Sequence, residues 1–321
     1  MSQVDTNPYK YSSTNKRYYT YDHFLKTTFG EKCAKITLDL GFTCPNIDGT
    51  RGYGGCIYCS GGSFARQVDS LKPPAEQYKE GIEIMRKKWK LNKFIPYLQA
   101  YTNSYTTPEK FAKILDEVSD FEGAVMISIA TRADCLEDEK IQTLNKLSEK
   151  IPVTVELGLQ TSNDAVAKLI NRCHTYEEFV DCFQRIRRGA PRVRICVHII
   201  NGLPTESKEN MKNTARSVAF LHPDIVKIHL LHVLEGTPLA NMYKSGKYTP
   251  MERQDYINTV CDQIELLPPD AVLERLTGDG IDSELLAPLW SRKKVTILND
   301  IDKELLKRNT YQGIYYKQKE E

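Results

Sequence analysis

Cys44, Cys56 and Cys59 stand in the stretch TCPNIDGTRGYGGCIYCS with the spacing Cys-x11-Cys-x2-Cys. Thiolates are soft, electron-rich metal ligands. Structural zinc and the [4Fe-4S] cubane each take four ligands, so three cysteines leave one position without a protein ligand. An open position on a metal centre is where another molecule binds and reacts. Gly49, Gly52, Gly54, Gly55, Gly61 and Gly62 surround the last two cysteines and let the backbone bring three ligands to one point.

Structural zinc is the plain alternative, since a Cys-x2-Cys pair is half of many zinc sites. No second such pair occurs and no histidine lies in the loop, so a zinc site would need a distant partner such as His23 or Cys33. Disulfides are a weaker reading. Nine cysteines are an odd number, and no secretory signal opens the chain. We expect reduced thiols and a cytoplasmic protein.

The loop follows a stretch readable as a strand and carries Tyr58 just before its last cysteine. In this it resembles the cluster loop of radical S-adenosylmethionine (SAM) enzymes. Its first gap is longer than the superfamily's commonest Cys-x3-Cys-x2-Cys and is similar to the gap in the Elongator catalytic subunit, which modifies tRNA. KITLDLGFTCPNIDGT, ELGLQTSND, HIINGLPTES, HLLHVLEGTPL and RLTGDG resemble the YhcC/YtqA-type radical SAM proteins along most of the chain.

The resemblance implies a [4Fe-4S] cluster on Cys44, Cys56 and Cys59, with SAM on the open iron and an electron donor such as flavodoxin or ferredoxin. It also implies a set of SAM contacts. Tyr58 would lie near the adenine, and the backbone at Val233 and Leu234 against it. Thr102 and Asn103 stand where many members carry Gly-Gly-Glu, at the methionine amino group. Glu156, with Gln160 nearby, would meet the ribose, and Arg172 the carboxylate. Each has a structural alternative: packing for Tyr58, an internal ion pair for Glu156, a surface salt bridge for Arg172. Thr131, Arg132 and Asp134 divide between loop and site roles, and for His198 we favour structure.

Apolar, β-branched segments alternate with longer amphipathic ones through KITLDLG, FIPYLQAY, AVMISIA, VTVELGL, RVRICVHII and IVKIHLLHV. Between them helices are expected near 73–90, from Pro108, and over 137–150, 163–188 and 206–221. Six such units predict a parallel sheet with crossover helices. The resemblance makes this an α/β partial (β/α)6 TIM-type barrel. A doubly wound sheet fits the pattern too, and in either the reactive groups gather at the carboxyl ends of the strands. In VTVELGLQ, alternation turns Thr154, Glu156, Gly158 and Gln160 to one face, the expected lumen. The same rule puts His229 and His232 on opposite faces.

We divide the 321 residues into an N-terminal extension (1–30), a core (31–248) and a C-terminal extension (249–321). The tyrosines at 9, 11, 18, 19 and 21, mixed with basic residues, either stack on nucleobases or pack across the mouth or bottom of the barrel. A formal charge of +2 neither marks nor excludes a nucleic-acid binder. No apolar run reaches the roughly 18–20 residues of a membrane span. The Elongator-like spacing points to tRNA, at a wobble uridine or its side chain. Two basic runs would meet its phosphates: Arg185, Arg187, Arg188, Arg192 and Arg194, and then Arg292, Lys293 and Lys294. A small-molecule or peptide substrate, and an iron-sulfur or zinc regulatory module, are the alternatives.

Overall fold

A computed structural model describes residues 7–60, 68–278 and 283–317. Gly61, Gly62 and the Asp279–Gly280 end of RLTGDG lie outside the described residues.

In chain order the elements are α1 (Tyr21–Phe29), β1 (Ala34–Leu38), α2 (Pro74–Lys88), β2 (Phe94–Leu98), α3 (Pro108–Ser119), β3 (Ile127–Thr131), α4 (Asp138–Lys150) and β4 (Val153–Gln160). Then come α5 (Asp164–Leu169), α6 (Tyr176–Gly189), β5 (Arg194–Asn201), α7 (Lys208–Leu221), β6 (Ile225–Leu230), β7 (Val233–Leu234) and α8 (Pro238–Lys244). The chain ends with α9 (Arg253–Leu266), β8 (Val272–Arg275), β9 (Leu285–Ala287) and α10 (Lys294–Lys307).

Seven strands form one parallel sheet in the order β1-β2-β3-β4-β5-β6-β8, curled into a half-barrel. Its outer face is apolar: Val153, Val155, Leu157 and Leu159 of β4 are fully buried, and burying each is worth about 1.5–3 kcal/mol. The inner face is polar. The curl brings the two sheet edges together, since Lys35 on β1 reaches Glu274 on β8 at 2.5 Å. The seventh strand therefore comes from the C-terminal segment.

Side-chain caps explain where helices start. Thr107, Asn163, Thr175, Ser207 and Thr237 each accept a hydrogen bond from a first-turn backbone N–H. The helix expected over 163–188 is two helices, because Thr175 and Glu178 form a capping box that starts α6 afresh. Between them Asn171 and Cys173 take left-handed backbone angles.

Phe24 and Leu25 of α1 pack with Ile95, Met126, Cys196, Ile225 and Val272, which lie at or near the amino ends of strands. Thus α1 plugs the bottom of the barrel. The tyrosine-rich segment is spent on packing there: Tyr9 Oη donates to Pro269 O at 2.6 Å, and Tyr19 N donates to Gln312 Oε1 at 2.9 Å.

Candidate active site

The cysteine loop leaves the carboxyl end of β1. All nine cysteines are free thiols, and Cys44, Cys56 and Cys59 are half-buried. Cys59 N donates to Cys56 O at 2.9 Å, closing a turn around the last two ligands. Gly54 and Gly55 both have a φ of 76°, which lets the chain double back just before Cys56. At Gly52 a Cβ would strike the Asn46 side chain and come within 2.7 Å of Cys173 Sγ, so only glycine admits this approach.

A strap from the loop between α5 and α6 holds the cysteine loop. Ile57 N donates to Ile170 O at 3.1 Å, and Asn171 Nδ2 donates to Tyr53 O and Gly55 O at 3.1 and 2.8 Å. Asn46 Nδ2 donates to Asn171 O in return. Arg172 anchors the strap. It is fully buried, and its five N–H donors go to the carbonyls of Leu159, Thr161 and His174, the last twice, and to Asp164 Oδ1. Four of these five bonds end on main-chain carbonyl groups, which leave no mark in a sequence. Arg132 completes the support, chelating Asp134 at 2.7 and 2.9 Å and donating to Arg172 O.

Beside the thiols opens a cavity of about 280 Å³, lined among others by Tyr58, Cys59, Tyr101, Gln160, His198 and Leu234. Ala100 and Tyr101 on its wall have φ angles of 93° and 54°, and Gln160 has 62°. Such angles are strained for residues with a Cβ and gather where ligands bind. The Gln160 amide folds back onto Gly158, where a Cβ would block it, and turning the amide over lets its nitrogen donate to Gly158 O and Leu159 O at 3.2 Å. Thr102 and Asn103 lie behind the wall, both buried. Asn103 Nδ2 donates to Leu98 O, Ala100 O and Ala130 O, while its Oδ1 has no partner among the described residues. Val233 and Leu234 are buried, with β7 paired to β9, and the Leu234 carbonyl accepts from Thr237 Oγ1 at 2.7 Å.

Glu156 points into the lumen but does not line the cavity. Its carboxylate accepts from Lys35 at 2.5 Å, Tyr97 at 3.0 Å, His198 at 2.9 Å and Lys227. Burial alone would raise its pKa. The ammonium groups of Lys227 and Lys35, with His198, outweigh it and hold the carboxyl well below its usual range. Four donors thus surround it in an ion-pair network inside the lumen. His198 lines the cavity, as do Tyr97 and Lys227 of the same network. Burial, and then Lys227, lower its pKa, so the ring is neutral; donating Nε2–H to Glu156 leaves Nδ1 as acceptor. His229 and His232 both line the cavity. Strict alternation fails between them because β6 ends at Leu230 and the chain turns.

The donor set discriminates between metals. Among the described residues, the only three possible ligands with all donor atoms within 4.8 Å of one another are Glu156, Cys196 and His198. That trio is already occupied by two ammonium groups, which would repel a cation. The three loop sulfurs are spread wider. One zinc ion, with bonds of about 2.3 Å at tetrahedral angles, needs sulfurs about 3.8 Å apart. A cubane takes each thiolate on a separate corner and accepts the wider spread. Burial, with Cys59 adding to it, pushes the Cys56 thiol up to about 11, so a thiolate there needs the positive charge an iron corner brings.

The profile of the radical SAM superfamily matches residues 48–218, and that of the radical SAM C-terminal domain matches 223–307. The uncharacterized protein YtqA of Bacillus subtilis (strain 168) is 42% identical over 99% of this chain and 98% of its own length. The chain belongs to the radical SAM superfamily. Radical SAM enzymes use a [4Fe-4S] cluster and SAM, and the loop thiols suit that cluster. More distant relatives match a part of the chain. The tRNA-2-methylthio-N(6)-dimethylallyladenosine synthase of Thermotoga petrophila is 27% identical over 59% of this chain and 43% of its own length. The tRNA uridine(34) acetyltransferase of Methanocaldococcus infernus is 27% identical over 48% and 29%. Among solved structures, Elp3 of M. infernus, lacking its N-terminus, superposes with a TM-score of 0.65 at 19% identity, covering 87% of this chain and 64% of that one. This radical SAM likeness is one of fold.

Proposed function

We propose that this chain is a radical SAM enzyme that modifies tRNA, at a wobble uridine or its side chain. The observation that carries the reading is the match of part of the chain to two relatives named for tRNA modification, one of them for uridine(34). Cys44, Cys56 and Cys59 would hold the cluster, which supplies the electron for reductive cleavage of SAM when bound. The strap of Asn171 and Arg172 holds the cysteine loop, with Cys59 on the cavity wall. The α1 plug shuts water out from below. His198 offers a neutral acceptor nitrogen to a hydroxyl or amide group in the cavity. Flavodoxin or ferredoxin would serve as electron donor.

The arginines of the first basic run favour the small-molecule or peptide alternative. They run from the last turns of α6 to the start of β5, at the amino ends of the strands, opposite the cysteine loop. Most are engaged: Arg185 with Asp138 and Asp181, Arg187 with Asp224, Arg192 with Glu149, and Arg194 over the Phe24 ring. The deciding experiment compares modified nucleosides in tRNA from a deletion strain and its parent by mass spectrometry. Loss of one nucleoside, or accumulation of its precursor, is the expected result. Identical profiles in cells that express the protein would overturn the tRNA reading and leave the small-molecule one.

A further inference from the structure

Asn46 follows Cys44 by two residues and is completely buried. Its amide has two N–H groups. One is donated to Asn171 O, and the other points at the sulfur of Cys56, with Nδ2 3.6 Å from Sγ. Its Oδ1 has no partner among the described residues, an unfavourable state for a buried acceptor. The surroundings enforce this orientation nonetheless. Asn46 O accepts from Gly55 N at 2.8 Å, and Gly52 leaves open the space its side chain occupies. Main chain and side chain of Asn46 are thus both locked to the turn that carries Cys56.

We propose that Asn46 is a positioning residue that sets the reduction potential of the cluster by donating a hydrogen bond to the Cys56 sulfur. A donated N–H draws electron density from a thiolate. The reduced cluster carries one more negative charge than the oxidised one, so the bond stabilises the reduced form more and raises the potential. The Arg132 guanidinium, whose charge acts on Cys44 and Cys56, works in the same direction. The cluster must be reduced before SAM can be cleaved, and Asn46 makes that reduction easier for the donor.

The test compares anaerobically reconstituted wild-type protein with Asn46→Leu, Asn46→Asp and Asn171→Gly by iron content and EPR-monitored redox titration. Asn46→Leu removes both N–H donors in a similar volume. It is expected to make reduction about tenfold less favourable, a fall of about 59 mV for a one-electron couple. Asn46→Asp puts an acceptor and a negative charge at the sulfur and should lower the potential further. Asn171→Gly tolerates the left-handed backbone and cuts the strap to Tyr53 and Gly55 while keeping the Asn46 side chain. It should lose iron more readily at an unchanged potential. A full iron complement with an unshifted potential in Asn46→Leu overturns the proposal. So does an equal shift in Asn171→Gly, which would assign the effect to loop looseness. Loss of iron from both Asn46 variants would also overturn it, reducing Asn46 to cluster retention.

Discussion

Glu156 shows what a single carboxylate does at the centre of the lumen. Two ammonium groups, a phenol and an imidazole converge on it, and Glu274 is the second acid of the network. Glu156→Gln would leave the buried Lys227 and the partly buried Lys35 ammonium groups sharing one carboxylate. Breaking a buried pair this way costs about 3–5 kcal/mol, so the variant should unfold at a clearly lower urea concentration. Its pH dependence is predictable. The folded pKa of Glu156 is depressed, so its contribution is complete above the ordinary glutamate range and is lost as pH falls through and below it. Urea melts should show a constant defect from pH 6 to 8 that shrinks only below about 4.5; a defect that grows toward acid would contradict this. Alternation within β4 was enough to turn Glu156 inward. It could not name the partners, because Lys35 lies 121 residues away and Lys227 71 residues away, and a period of two says which face is shared and nothing about what crosses the lumen.

Between β5 and α7 the chain carries a second buried acid of opposite behaviour. Glu206 accepts from Thr161 Oγ1 at 2.7 Å, but its Oε2 has no partner among the described residues, and burial pushes its pKa up to about 7. The folded state therefore holds a proton that the unfolded chain gives up near pH 4.5, and stability falls as pH rises from there to about 7. Glu206→Gln keeps an acceptor for Thr161 and cannot ionise. Thermal melts should show it matching the wild type at pH 5 and exceeding it at pH 8; equal melting temperatures at both would refute the assignment. At this scale the sequence was read best where long periods were intact, as in the six strand–helix units. It was read least well at breaks. A capping box at Thr175 divides one expected helix, and the end of β6 at Leu230 sends His229 and His232 to the same cavity, since local backbone turns reset the phase that a pattern relies on. The cysteine spacing was plain. The strap that holds it was hidden, because Arg172 bonds mainly to carbonyl groups that every residue possesses.

Charge distribution separates the two ends of the whole molecule. Arg188 is exposed at the amino-end face. Lys293 lies beyond β9, next to the turn where Trp290 Nε1 donates to Met251 O at 3.2 Å and Met251 packs on Gly202 at the end of β5. If tRNA docks at the cysteine-loop face, Lys293→Glu should weaken binding by several-fold and flatten its salt dependence, while Arg188→Glu should leave both unchanged. Filter-binding titrations at two salt concentrations measure this. Equal effects from the two variants would show binding that ignores the mouth.

The plug made by α1 has a kinetic consequence. A lumen closed at one end exchanges its contents through the mouth alone. A macromolecule that covers the mouth must arrive after SAM and will lengthen the residence time of whatever lies below it.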